Sequence, residues 1–106
     1  MLIKILLVSL SLILFQKPEQ YKTYTATAYT LRGKTASGKY VKRGIIAANH
    51  RDFKLGTKVH LKGHFKYEGN FEVADRGVGK NKIDIWVPSQ REAKQFGRRK
   101  VLVRML

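Results

Sequence analysis

Two aspartates, Asp75 and Asp84, are the side chains of this chain best suited to proton transfer. They lie in the stretch VADRGVGKNKIDIW, residues 73–86, each at the edge of an apolar run. The chain has seven acidic side chains against 22 basic ones, so two carboxylates in one short window stand out. A carboxylate in apolar surroundings is costly to bury unless it is paired, hydrogen-bonded or protonated. The pattern predicts a functional pair; the alternatives are a turn aspartate for Asp75 and a structural salt bridge for Asp84.

The apolar run around Asp84 predicts how its carboxyl behaves. Asp84 lies between Ile83 and Ile85, and apolar surroundings raise a carboxyl pKa because they disfavour the charged form. A nearby Asp75 anion would raise the pKa of Asp84 further. Basic residues of the intervening turn would oppose both effects, and the sequence leaves the balance open: Arg76, Lys80 and Lys82. We expect Asp84 to handle the proton and Asp75 to be its electrostatic and hydrogen-bonding partner.

Alternating apolar and polar residues predict short strands along most of the chain. The predicted strands cover residues 23–30, 45–48, 57–62, 70–75, 83–87 and 100–106. One helix is predicted over residues 90–96, because Ser89 and Glu92 form a capping box and Gly97 ends the segment. Closing a sheet removes its edges, so this pattern predicts a mostly-β fold, a small six-stranded closed barrel with one short helix.

The N-terminal stretch MLIKILLVSLSLILF has one lysine, Lys4, followed by an apolar run over residues 5–15. This is the length of a signal-peptide hydrophobic region and is short for a membrane span of about 20 residues. We expect residues 1–16 to be a secretory signal peptide; an uncleaved membrane anchor and a buried core helix are the alternatives. Residues 17–22 then form a linker, and residues 23–106 form the barrel domain.

The formal net charge of +15 predicts a polyanionic partner. Nucleic acid, an anionic membrane and an acidic cell wall all fit this charge, and dispersed solubilising charge is the alternative. Export favours a secreted, periplasmic or cell-envelope location, so no nucleic-acid partner is expected. The chain has no cysteine, which excludes disulfides, thiolate metal sites and a cysteine nucleophile.

Two histidines four residues apart, His60 and His64, would suggest a metal pair on a helix. Gly63 and the strand pattern around them argue against a helix. We therefore expect no metal and no cofactor.

Five strings between residues 25 and 103 occur in an order and spacing that resemble a known barrel: TATAYT, TASG, IAANHRDFKLGTKVHL, VADRGVGKNKIDIW and EAKQFGRRKVLV. The resemblance is to the double-psi β-barrel of cell-wall lytic enzymes. Most similar are the three-aspartate domain of membrane-bound lytic transglycosylase A and of bacterial wall-remodelling proteins, and the rare lipoprotein A-type domain. Expansins share the same barrel.

The resemblance assigns roles to both aspartates. Asp75 in ADRG matches the aspartate that ends a strand before a glycine turn, and Asp84 in IDIW matches the catalytic residue of those transglycosylases. The ADRG sequence, and His50 in AANHR, resemble the rare lipoprotein A type more closely.

The chain also departs from these patterns. The family's remaining aspartate falls at Asn49, with Asp52 three residues away. Acidic residues of the lipoprotein type fall near Lys39 and Lys42. The loop between the two aspartates is about two residues shorter than in the family.

The resemblance implies a lytic transglycosylase, which cleaves the bond between N-acetylmuramic acid and N-acetylglucosamine without water. One carboxyl can serve this reaction as acid and then as base, whereas a conventional glycosidase needs two. The alternative is a non-catalytic, expansin-like barrel that binds wall polysaccharide. We expect a monomer that binds peptidoglycan glycan strands, with substrate-binding residues Tyr29, Thr35, Ser37, Asn49, His50 and Arg76. Each is also compatible with an ordinary loop or strand role.

Overall fold

The computed structural model describes residues 20–106, which form six strands, one α-helix and one turn of 3₁₀ helix. The strands are β1 (Lys22–Tyr29), β2 (Ile45–Ala48), β3 (Lys58–Lys62), β4 (Gly69–Asp75), β5 (Lys82–Trp86) and β6 (Arg99–Met105). The helix is α1 (Gln90–Phe96), and the 3₁₀ turn, which the sequence did not predict, covers Phe65–Tyr67. The predicted signal or anchor at residues 1–16, and most of the predicted linker, lie outside the described residues.

The six strands close into a barrel in the order β1-β5-β2-β4-β3-β6. β1 runs parallel to β5 and β2 parallel to β4, while the remaining neighbours are antiparallel. The chain passes from β1 to β2 across β5, and from β4 to β5 across β2. These two crossing connections interlock, which is the arrangement that the term double-psi describes. The predicted six-stranded barrel with one short helix is confirmed.

Alternation along the strands separates a packed interior from an outer face. In β5, Ile83 and Ile85 are buried in the core cluster, whereas Asp84 between them points outward and is half-buried. The same alternation puts Ile46 of β2 inside and Ala47 outside. Truncating a buried isoleucine of this kind to alanine costs about 2–5 kcal/mol of folding stability. Because the isoleucines must stay inside, the residues that alternate with them face outward.

Helix α1 forms where the capping box predicts it. The Ser89 side chain accepts a hydrogen bond from the Glu92 N–H at 3.2 Å, and Gly97 ends the helix with a positive φ of 66°. Phe96 is buried in the core cluster, so the helix packs onto the barrel. No helix within residues 20–106 is long and apolar enough to cross a membrane.

Candidate functional site

Asp84 lies in a row of outward-facing residues that crosses neighbouring strands. Thr27 of β1 pairs with Asp84 of β5, and Asp84 pairs in turn with Ala47 of β2. The Thr27 hydroxyl donates a hydrogen bond of 3.1 Å to Asp84 Oδ1. Thr27 was not among the residues predicted for the site. The signal that identifies it is the period of two along β1, which sets Thr27 on the same face as Tyr29.

A β-bulge turns Asp75 toward this outer face. Ala47 pairs with Asp75, although an uninterrupted register would pair it with Ala74. Without the extra residue, alternation would point Asp75 into the barrel, as it does Val73. Asp75 and Asp84 therefore both lie opposite Ala47, one on either side of β2. Two strand spacings separate their Cα atoms by about 10 Å.

Burial governs the protonation of Asp84. It raises the carboxyl pKa above its ordinary value, and the hydrogen bond from Thr27 opposes this by lowering the pKa. The sequence identified burial as a cause that raises this pKa but left open its balance with the basic residues of the turn. The predicted influence of Asp75 and of the turn cations is not among the causes that act on Asp84 within residues 20–106.

Asp75 is held by backbone donors at the edge of a loop. Its Oδ1 accepts hydrogen bonds from the N–H of Ala36 at 3.1 Å and of Arg76 at 3.0 Å. The neighbouring N–H of Ser37 donates to the Ala74 carbonyl at 2.9 Å, which fastens the same loop to β4. The Arg76 side chain itself is exposed. The loop over residues 30–44 thus fixes the position of Asp75 relative to the barrel.

Tyr29 carries a buried hydroxyl close to both aspartates. Burial raises the pKa of Tyr29 well above its ordinary value, and the negative charges of Asp75 and Asp84 raise it further. The phenol has a weak contact with Asp75 that falls short of a full hydrogen bond, and it makes no other hydrogen bond within residues 20–106. The hydroxyl therefore stays protonated and has a hydrogen to donate to a bound ligand.

Thr35 and Ser37 use their hydroxyls within the loop. Thr35 is only 8% exposed, and its hydroxyl donates to the Lys39 carbonyl at 2.8 Å. The two hydroxyl oxygens lie 2.8 Å apart and share a hydrogen bond. Ser37 is exposed, whereas Thr35 is buried and makes its hydrogen bonds within the loop. Of these two predicted donors, only Ser37 is accessible to a ligand in this arrangement.

Asn49 anchors the loop between β4 and β5. Its amide nitrogen donates to the Val78 carbonyl at 3.0 Å, and its amide oxygen accepts from the Arg51 N–H at 2.9 Å. Asp52 is held elsewhere, because its Oδ2 accepts from the Asn81 N–H at 2.7 Å. Asp52 therefore supports the turn and does not join the row of Asp75 and Asp84. His50 is exposed on the neighbouring loop.

Trp86, at the end of β5, is a buried aromatic residue. It is 7% exposed, and its indole N–H donates to the Leu31 carbonyl at 2.8 Å. This hydrogen bond therefore holds the start of the 30–44 loop next to β5.

The two histidines act separately. His60 lies in β3, where its Nδ1 shares a 2.9 Å hydrogen bond with the Tyr21 hydroxyl. The His64 ring accepts from the Lys66 N–H and so caps the 3₁₀ turn. Within the described part of the chain, no three His, Asp or Glu side chains come together in a group that could hold a metal ion.

No family model matches the chain. It is 35% identical over 102 residues to the cell wall-binding protein YocH of Bacillus subtilis, which covers 86% of the chain and 34% of that protein. It is 33% identical over 89 residues to a second protein of the same organism, named "Putative cell wall shaping protein YabE", which covers 78% of the chain and 21% of that protein. The chain thus spans about a third of the first relative and about a fifth of the second.

Proposed function

We propose that this chain is a cell-wall barrel domain that acts outside the cytoplasm and cleaves peptidoglycan glycan strands as a lytic transglycosylase. The names of the two relatives support a wall-associated role, as does the closed six-stranded barrel. The net charge of +15 suits an anionic wall. The finer assignment rests on the resemblance to the three-aspartate and rare lipoprotein A-type domains.

The observation that carries the catalytic proposal is the environment of Asp84. Its carboxyl is half-buried on the outer face of the barrel, and burial raises its pKa. A carboxyl with a raised pKa keeps a protonated fraction at a pH where an ordinary aspartate has lost its proton. Substrate can reach the outer face, and the hydrogen bond from Thr27 fixes the direction of the carboxyl.

The reaction needs one group that gives and then takes a proton. Protonated Asp84 donates to the glycosidic oxygen as the bond from that oxygen to the muramic acid C1 breaks, and N-acetylglucosamine leaves as an alcohol. The Asp84 carboxylate then accepts the proton of the muramic acid 6-hydroxyl, whose oxygen bonds to C1. An anhydro-sugar forms, no water is consumed, and Asp84 returns to its protonated state.

Tyr29 and Asp75 complete the proposed site. The Tyr29 hydroxyl, which lacks a full hydrogen bond, donates to a sugar hydroxyl or acetamide near the scissile bond. Both backbone hydrogen bonds to Asp75 end on Oδ1, which leaves Oδ2 as the oxygen that would accept a hydrogen bond from the substrate. The outward turn that the bulge gives Asp75 puts it on the side where Asp84 works.

The test is product analysis by mass spectrometry after the full chain has been incubated with purified peptidoglycan sacculi. Muropeptides with anhydro ends are expected from the unaltered chain, and Asp84→Asn should abolish them. Glu68→Gln is the matched control, because Glu68 accepts a hydrogen bond from the Gly63 N–H, outside the row of Asp75 and Asp84. Undiminished anhydro products from folded Asp84→Asn, or reducing ends from the unaltered chain, would refute the proposed chemistry.

A second candidate is a binding-only barrel, and Asn49 favours it. This residue stands where the family has an aspartate, and its amide makes hydrogen bonds that lock a loop. The name of the first relative describes wall binding and no cleavage. A binding-only barrel would sediment with sacculi without releasing soluble muropeptides, and Asp84→Asn would leave this sedimentation unchanged.

A further inference from the structure

A recess lies on the outer face of the barrel, beside residues 70–72 of β4. Its volume is about 350 Å³, and Glu72 of β4, Ile45 of β2 and Lys58 of β3 lie side by side at its base. This size is at the small end of ligand pockets in proteins. It fits one amino-acid-sized group.

The recess is basic. Four cations line it, Lys39, Lys42, Arg43 and Lys58, against one acidic side chain, that of Glu72. Lys39 pairs with Glu72 at 2.7 Å, and the charges of Lys58 and Lys42 also act on Glu72. These ammonium groups therefore converge on one carboxylate, and the recess keeps a net positive charge that attracts a second one.

Two of the cations are already committed to protein partners. Arg43 makes two hydrogen bonds to Glu92, at 2.8 Å and 2.6 Å, and is turned toward α1. Lys39 is committed to Glu72. Lys42 and Lys58 make no salt bridge to a carboxylate within residues 20–106. These two lysines are the ones available to a ligand.

The floor of the recess is apolar. The Ile45 side chain is fully buried beneath it, and Phe71 is a half-buried neighbour packed against the core. A phosphodiester chain is polar along its whole length and gains little from such a floor. A carboxylate that carries a small aliphatic side chain matches both the cations and the apolar surface.

The recess is also close to the proposed site. Glu72 precedes Asp75 by three residues on β4, about 10 Å along the strand. A shallow depression shares Lys39, Lys58 and Glu72 with the recess and reaches Ala36, whose N–H holds Asp75. The depression therefore connects the recess to the loop that holds Asp75.

We propose that this recess is a carboxylate subsite for the short peptides attached to muramic acid, with Lys42 and Lys58 as the cations that bind the peptide carboxylate. The proposal rests on the proposed function, because muramic acid is the sugar that carries both the scissile C1 and the peptide. Glu72 acts as an internal competitor: it holds Lys39 in the empty recess, and a ligand carboxylate competes with it for the same cations.

Binding of a fluorescent wall peptide with free carboxylates to the full chain tests the proposal. Replacing Lys42 and Lys58 together by glutamine should weaken binding about fivefold to tenfold at low salt. Lys22→Gln with Lys94→Gln removes the same charge outside the recess and should leave affinity within twofold. Glu72→Gln should tighten binding. Amidating the peptide carboxylates should weaken it as much as the Lys42 and Lys58 double variant does.

Three results would overturn the subsite. The first is a control variant that weakens binding as much as the Lys42 and Lys58 double variant does. The second is tighter binding of a glycerol-phosphate oligomer of equal charge than of the peptide. The third is the absence of any peptide binding. Asp84→Asn separates this proposal from the proposed function, because it should keep peptide binding while losing products. Sacculi that are cleaved without peptide binding refute only the subsite, and peptide binding without cleavage refutes only the catalytic proposal.

Discussion

Replacing Thr27 by valine removes the one side-chain hydrogen bond that Asp84 receives within residues 20–106, and it keeps the shape of the side chain. The bond lowers the pKa of Asp84, so its loss should raise that pKa further. Valine is the suitable replacement because Thr27 lies in the middle of β1, where a β-branched residue fits the strand. Thr27→Ser is the matched control, since it keeps the hydroxyl and loses only the methyl group.

The expected magnitude follows from the geometry. Hydrogen bonds to charged groups contribute about 1.5–3 kcal/mol. The bond is long, at 3.1 Å, and Asp84 is only half-buried, so its loss should cost about 1 kcal/mol. For a domain of this size, that corresponds to a decrease in Tm of about 4–8 °C. The loss should be largest at neutral pH, because a raised folded-state pKa penalises the ionised form, and should shrink once Asp84 is protonated in both states.

Two measurements check this prediction. Nuclear magnetic resonance of the Asp84 carboxyl carbon, followed against pH, should show its titration moving to higher pH in Thr27→Val and little in Thr27→Ser. Urea unfolding at neutral and acidic pH should show the pH-dependent loss. If Thr27→Val leaves the Asp84 titration in place, or moves it to lower pH, then the Thr27 hydrogen bond does not lower the pKa of Asp84.

Three other changes have expected outcomes. Asp84→Asn should raise the urea midpoint at neutral pH, because a carboxyl whose folded-state pKa is raised loses stability as pH rises through that value; an unchanged midpoint would contradict this. Asn49→Asp sets a carboxylate against the Val78 carbonyl and removes a hydrogen bond, so thermal unfolding should reveal a loss of about 1–3 kcal/mol. Glu92 has a pKa lowered to about 2 from 4.5, chiefly by its hydrogen bond from Arg43, so its stabilisation is present above 4.5 and is lost as pH falls toward 2. Since Arg43 is 58% exposed, Glu92→Gln should cost about 1–2 kcal/mol at pH 7 and flatten the acid limb of the stability curve.

The fold could be predicted because its elements are determined locally. The alternation around Ile83 and Ile85 identifies β5 and leaves Asp84 on the opposite face. The capping box at Ser89 and the glycine at position 97 define α1. Both signals act within a few residues, so a sequence shows them directly.

The arrangement of the site could not be predicted in the same way. Alternation alone directs Asp75 inward, and only the register of β4 against β2 reveals the bulge that turns it outward. The hydrogen bond between Thr27 and Asp84 joins residues 57 positions apart, through a parallel pairing that no local pattern encodes. Loop hydroxyls such as that of Thr35 looked like ligand donors in the sequence, yet they bond within the loop.

Ala47 explains how the separate parts of the site form one surface. It is the middle member of the row, pairing with Asp84 on one side and with Asp75 on the other. Tyr29 belongs to β1, and the negative charges of Asp75 and Asp84 both act on its buried hydroxyl, which therefore lies in the space near the two aspartates. A large residue between the aspartates would occupy that space. Ala47 is a small, buried residue of this row, and the bulge directs Asp75 to the same face as Asp84. On this reasoning, the site depends on one small side chain and one extra strand residue as much as on its two carboxylates.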